Sequence, residues 1–162
     1  MLTESIDTPT IRKLNELGIS YALTTHSEAV YSCKDVATVR NRKLSQVLKC
    51  MIAKDKNNNI YGILLPGNKI ICKKKLRLAT GGLRISLFSP SELVYKFGFV
   101  VGAISPIQLL GNATFYLDET VLSEEAVDIS SGSPNMGIML KTKDLIALIS
   151  PIIYDMATLI QI

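Results

Sequence analysis

The 162-residue sequence has no tryptophan and only one histidine, His26. A single histidine excludes any two-histidine metal site and obliges a Ser-His-Asp triad, if present, to be built on His26. Three cysteines, Cys33, Cys50 and Cys72, cannot all pair within one chain, and no two form a CxxC. That argues against a secreted disulfide framework and against a cysteine zinc site, so neither metal nor cofactor is expected. No apolar run approaches the roughly 18–20 residues that span a bilayer, and no membrane partner is expected. The opening Met-Leu-Thr-Glu-Ser-Ile-Asp lacks the basic and apolar regions of a signal peptide, which predicts a cytoplasmic protein. Repeats, low-complexity tracts and linkers are absent as well, so residues 1–162 read as one domain.

What is present is a real core and an uneven charge. Apolar residues make up 48% and charged residues 20% of the chain, which excludes wholesale disorder. The net charge of +4 hides an asymmetry between the halves. Residues 1–81 carry 14 basic against 6 acidic residues, net +8, and residues 82–162 carry 4 against 8, net −4. Basic residues gathered in one half, with Lys73, Lys74, Lys75 and Arg77 at their densest, suit a polyanionic partner or a plain solvated face. No convincing pair of recognition helices for DNA appears.

Local signals predict short helices interleaved with short strands. Thr8-Pro9, Ser32 with Asp35, and Ser89-Pro90 with Glu92 read as helix starts, and Thr142 reads as the cap of a last helix over 143–149. Residues 19–25, 46–54, 60–65, 83–87, 114–117, 126–129 and 138–140 read as strands, with a polar turn at 55–59 making a hairpin. Irregular spacing of strands and helices gives an α+β class with a mixed sheet.

Three constellations stand out. Lys49 interrupts the apolar strand Gln-Val-Leu-Lys-Cys-Met-Ile-Ala-Lys, sharing a face with Val47 and Met51. A charge there either meets an anion or lies on a wet face of the strand. Gly102-Ala103-Ile104-Ser105-Pro106 reads either as an ordinary strand-to-turn transition or as a glycine that lets backbone approach a ligand, with N–H groups that suit a carbonyl oxygen or an anion. Residues 130–135 supply hydroxyls and a glycine in a turn. A Cys50–His26 dyad is disfavoured, because Cys50 sits among apolar neighbours as a small buried hydrophobe.

The order of these segments resembles the YbaK/prolyl-tRNA synthetase-associated domain family. The resemblance rests on TPTIRKLNELGISYALTTH at 8–26, QVLKCMIAK at 46–54 and GILLPGNKIICKKKL at 62–76. FGFVVGAISPI at 97–107 and ISSGSPNMGIMLKTKDLIAL at 129–148 complete it. It implies a mixed, barrel-like sheet flanked by helices and a trans-editing aminoacyl-tRNA deacylase. It places the functional lysine on Lys49 and the glycine-loop roles on Gly102 and Pro106. It also implies substrate contacts at His26, Ala103, Ser105, Ser130 and Gly132, and tRNA contacts at Lys73, Lys74, Lys75 and Arg77. Implied partners are the acceptor end of a mischarged tRNA, with Cys- or Ala-tRNA(Pro) as candidate substrates, and prolyl-tRNA synthetase. A non-hydrolytic tRNA- or nucleotide-binding module on the same fold is the alternative. Gly137 stands where the family carries an acid in its closing strand, and His26 stands in place of an aromatic.

Overall fold

The helices begin where a side chain can take up a free backbone N–H. In the computed structural model, which describes residues 7–160, α1 (Pro9–Glu16) is capped by Thr8, whose hydroxyl accepts from Ile11 N at 3.2 Å. β1 (Tyr21–Thr25) follows, and then α2 (Cys33–Val39), capped by Ser32 on Asp35 N at 3.1 Å. β2 (Leu48–Lys54) and β3 (Ile60–Pro66) form the expected hairpin. The Asp55 carboxylate closes its turn by accepting from the N–H groups of Asn57 and Asn59.

β4 (Lys69–Ile71) leads into α3 (Lys73–Ala79), and β5 (Ser86–Leu87) into α4 (Pro90–Phe97). α4 starts in a reciprocal Ser89–Glu92 box and stops at Gly98, whose φ of 70° suits glycine. β6 (Thr114–Asp118), β7 (Ala126–Ser130), β8 (Met136–Lys141), α5 (Thr142–Ile149), β9 (Ile152–Tyr154) and β10 (Ala157–Leu159) complete the order. Thr142 is the first residue of α5 rather than its cap. Its hydroxyl donates to the Glu124 carbonyl instead of accepting from the helix.

The larger sheet runs β5-β2-β3-β6-β9, with β3, β6 and β9 parallel and the rest antiparallel. A second sheet, β1-β8-β7, is antiparallel and touches the first through a parallel bridge between Val47 and Asp128. β4 pairs with β10 as a separate ribbon. The class is the expected α+β with mixed sheet and flanking helices, and no closed barrel is formed among the described strands. The short strands β4, β9 and β10 go beyond the elements read from sequence.

β3, between antiparallel β2 and parallel β6, is buried on both faces because a core packs against each. Leu64 enters the main core with Leu14, Ile52, Leu117 and Ile138, while Ile63 and Leu65 enter a second core with Tyr116 and Met156. β2 follows the predicted alternation, with Leu48, Cys50 and Ile52 toward the main core. Val47 packs with Val30 and Val36 beneath α2.

The turn after β9 is fixed by Asp118, which is fully buried. Its carboxylate accepts from Met156 N at 3.0 Å and Thr120 N at 3.2 Å, with the Lys69 ammonium 3.6 Å away. Burial pushes this carboxyl up, but the hydrogen bonds and Lys69 outweigh it and hold it below the usual range. A depressed folded value means the stabilisation is complete above the unfolded carboxyl range near ~4 and is lost as pH falls through the folded value. Asp118→Ala should therefore cost about 1–3 kcal/mol at neutral pH. Urea midpoints of the two proteins should converge as the pH is lowered below that range.

Candidate active site

A cleft of about 1080 Å³ lies between the two sheets. Its floor carries β2 from Leu48 to Ile52 together with Asp128 and Ser130 of β7. α2 and the segment before it contribute Tyr31, Cys33 and Arg40. Gly102 and Ile104 form one rim, and Leu159 with Ile160 another.

Of the residues expected at the site, Lys49, Gly102 and Ser130 line this cleft. Lys49 is half-buried, and no carboxylate stands within 4 Å of its ammonium among the described residues. Its charge acts on the nearby Cys33 thiol, where it opposes the upward push of burial. A cation on a largely apolar wall gains most from meeting an anion.

Gly102 has φ of +88°, a conformation that favours glycine. Its missing side chain makes room for protein: an added Cβ would run into the Tyr31 carbonyl and stand 3.0 Å from Tyr31 Cα. The close approach inferred for a ligand is thus occupied on that side by the chain itself. The N–H of Ala103 is used inside the turn, donating to Val100 O at 2.9 Å. The N–H groups of Gly102 and Ile104 donate to nothing among the described residues, and both residues line the cleft.

Other expected contacts are structural in their placement. Ser105 is fully buried, and its hydroxyl lies 2.8 Å from that of Thr10. Thr10 donates to Ser131 O at 2.8 Å, so it accepts from Ser105 and from Gln108 Nε2 at 3.0 Å. Pro106 is buried behind this network. Gly132, φ +92°, packs against Gln108, and its N–H donates to the Ser130 hydroxyl at 3.1 Å.

His26 stands behind the cleft wall, where Arg40 Nε donates to its Nε2 at 3.1 Å. That bond assigns the ring hydrogen to Nδ1, which donates to Glu28 O at 2.6 Å. On α3, Lys73, Lys74 and Arg77 are exposed, while Lys75 is tied to Asp155 at 2.9 Å and to Ala157 O at 3.2 Å.

Sequence reasoning passed over the buried pair Arg40–Asp128, whose Nη1–Oδ1 distance is 2.7 Å. Burial pushes the Asp128 carboxyl up, and the guanidiniums of Arg40 and Arg42 oppose it. The signal for it was an acid between the fully buried Val127 and Ile129. Among the described residues, no three His, Cys, Asp or Glu side chains gather as metal ligands, and no helix is long and apolar enough to cross a membrane.

The aminoacyl-tRNA editing domain family matches residues 27–148, and the chain belongs to that family. Its class is that of the aminoacyl-tRNA deacylases, hydrolases of mischarged tRNA. The multifunctional Ser/Thr-tRNA deacylase ProXp-y of Escherichia coli is 28% identical over 145 residues, covering 87% of this chain and 86% of that protein. A protein of Enterococcus faecalis named as a Cys-tRNA(Pro)/Cys-tRNA(Cys) deacylase, EbsC, is 25% identical over 75% of this chain and 74% of its own. A crystal structure titled as a trans-editing enzyme for prolyl-tRNA synthetase superposes with TM-score 0.82 at 21% identity, over 94% of this chain and 99% of that one. The hypothetical protein APE2540 does so with TM-score 0.83 at 19% identity, over 92% and 99%. These two establish the fold.

Cys50 packs against the main core, and burial pushes its thiol up to about 12. It is protonated at neutral pH and a poor nucleophile. Cys50→Ala should cost about 1 kcal/mol through lost packing and leave hydrolysis per folded molecule intact. An acyl group trapped on either cleft thiol, Cys33 or Cys50, would contradict this.

Proposed function

We propose that this chain hydrolyses the ester joining a small, wrongly attached amino acid to the terminal ribose of a tRNA. The observation that carries the reading is Lys49, an ammonium without a carboxylate partner in a cleft also lined by Gly102 and Ile104, whose N–H groups have no acceptor among the described residues. The ammonium is a compact point charge suited to a backbone phosphate near the tRNA terminus. The N–H groups of Gly102 and Ile104 suit the ester oxygen as it becomes negative in the tetrahedral state.

The chemistry needs little more than this. A water oxygen, or a hydroxyl or thiol of the substrate itself, bonds to the carbonyl carbon. The carbon–oxygen bond to ribose then breaks, and the proton lost by the attacking group passes to the ribose oxygen. With water the products are free amino acid and uncharged tRNA. Attack by the substrate's own side-chain thiol or hydroxyl closes a cyclic thioester or ester and releases the same tRNA, and water then opens that ring to the free amino acid. Confinement of the attacking group beside the carbonyl supplies much of the acceleration. Exposed Lys73, Lys74 and Arg77 fit the acceptor arm through screened, salt-dependent contacts.

The acyl group is the finer question. Cys-tRNA(Pro) is supported by the words attached to EbsC and an association with prolyl-tRNA synthetase by those attached to the trans-editing structure, while Ala-tRNA(Pro) rests on the family resemblance alone. ProXp-y is named for seryl and threonyl esters instead. All of these side chains are small, which fits a cleft shared with a bulky terminal adenosine.

A panel of mischarged tRNAs tests activity and substrate together. Lys49→Ala should lower hydrolysis on the order of a hundredfold, the scale of losing one transition-state contact, with the fold intact by circular dichroism. Full activity in that variant would remove Lys49 from the mechanism. Tight tRNA binding without turnover of any ester would leave the non-hydrolytic module standing.

Gly102→Ala separates the two roles of its loop. The left-handed backbone alone costs alanine about 1–2 kcal/mol, and the Tyr31 contact adds to it, so the melting temperature should fall. Single-turnover hydrolysis per folded molecule should fall about a hundredfold as well. A lower melting temperature with unchanged turnover would make Gly102 a turn residue only.

A further inference from the structure

The Arg40 guanidinium occupies the place that a side chain on β8 would otherwise fill. An added Cβ at Gly137 would run into Arg40 Nη1 and stand 2.5 Å from Cζ. Gly137 pairs with Ser130 of β7 and Thr24 of β1, at the centre of the smaller sheet. The absence of a side chain there is what lets a long cation from α2 lie flat on the sheet beneath the cleft.

That cation is tightly held yet incompletely used. Arg40 is 5% exposed. Its Nε donates to His26 Nε2 and its Nη1 to Asp128 Oδ1, while Nη2 donates to nothing among the described residues. Asp128 is equally one-sided. Oδ2 is buried without a hydrogen bond, and Arg42 Nε stands 3.4 Å from it. Arg42 is braced in turn by Thr24 Oγ1 at 3.1 Å. An Arg–carboxylate pair commonly closes as a two-bond fork, and here it closes through one bond. Both residues line the cleft, next to Ser130.

We propose that Arg40 is a specificity-determining residue of this cleft, donating from Nη2 to an acceptor oxygen on the side chain of the acyl group, a hydroxyl first of all. His26 and Asp128 are its positioning residues. The inference rests on the deacylase reading and narrows its substrate class. A hydroxyl accepts a hydrogen bond from a guanidinium, whereas a methyl offers nothing and a thiol only a weak acceptor. Arg40 and Lys49 line the cleft against one buried carboxylate, Asp128, which Arg40 and Arg42 already pair, so the surplus positive charge disfavours the substrate's ammonium there and suits its oxygens. A site built to bond a hydroxyl discriminates strongly against the analogue that lacks it, because the buried donor is then left unpaired.

The test compares seryl and alanyl esters on one and the same tRNA, which differ by a single oxygen, in wild type, Arg40→Lys and His26→Ala. Arg40→Lys keeps a cation for Asp128 but has no Nη2, and His26→Ala removes the Nε acceptor while leaving the Arg40–Asp128 bond in place. Melting temperatures and circular dichroism confirm folding of each protein. The wild type should prefer the seryl ester in kcat/KM, and Arg40→Lys should reduce the seryl-to-alanyl ratio tenfold or more. His26→Ala should shift the ratio in the same direction by a smaller factor. If Arg40→Lys does not fold, the His26→Ala ratio decides. Equal losses on both esters, or an unmoved ratio, would overturn the assignment of Arg40 while leaving the enzyme a deacylase. A wild type that hydrolyses neither these esters nor any other on the panel would overturn the deacylase reading, and this inference with it.

Discussion

The buried hydroxyl of Thr10 is where three remote parts of the chain are tied together. It donates to the carbonyl of Ser131 and accepts from Ser105 and Gln108, so α1, the glycine rim and the β7–β8 loop meet on one oxygen atom. A hydroxyl has one proton and two lone pairs, and here every one of them is used. In a dry environment each such bond is costly to leave unmade, which makes the arrangement rigid and unique. The rim that carries Gly102 and Ile104 is therefore positioned from behind by a polar knot, not from the front by a ligand.

A second tie reaches the same loop from the other side. Asn135 donates to the carbonyls of His26 and Ser27 and accepts from His26 N, and Pro134 accepts from Val30 N. The segment thus held carries Tyr31, whose backbone fills the space beside Gly102. His26 itself, at the start of that segment, braces Arg40. The floor and the rim of the cleft are two outcomes of one network of polar groups, buried at Thr10 and Asp128 and half-buried between them, and that network runs from Thr10 to Asp128.

Local chemistry was the legible part of the sequence. Thr8, Ser32 and Ser89 cap helices through atoms three residues away, and Asp55 closes its hairpin within four. The strands β4 and β10 were not legible, because each is three residues long and finds its partner more than 80 positions away. Lys49 was visible as a lone charge in an apolar run. Arg40 was not, since an arginine ending a short helix is ordinary until Asp128 and Gly137 are seen beneath it. Gly137 is the sharpest case. Read along the chain it is a missing acid, and in three dimensions it is the space that the arginine needs. Ser105 and Ala103 show the converse, in that a motif near a site lends most of its groups to holding itself together.

The pairing of β1 with β8 joins Tyr21 to Leu140, and its consequence is kinetic. The hairpin that carries Lys49 closes over a handful of residues, an event of about microseconds in isolation. The β7–β8 hairpin that carries Asp128, Ser130 and Gly137 is equally local, whereas adding β1 to it closes over more than a hundred intervening residues, whose entropy is lost before the contacts reward it. Lys49 and Asp128 are thus each carried by a local hairpin, and the slow, non-local step is the one that brings β1 against Gly137. The smaller sheet is complete only when that long-range pairing has closed.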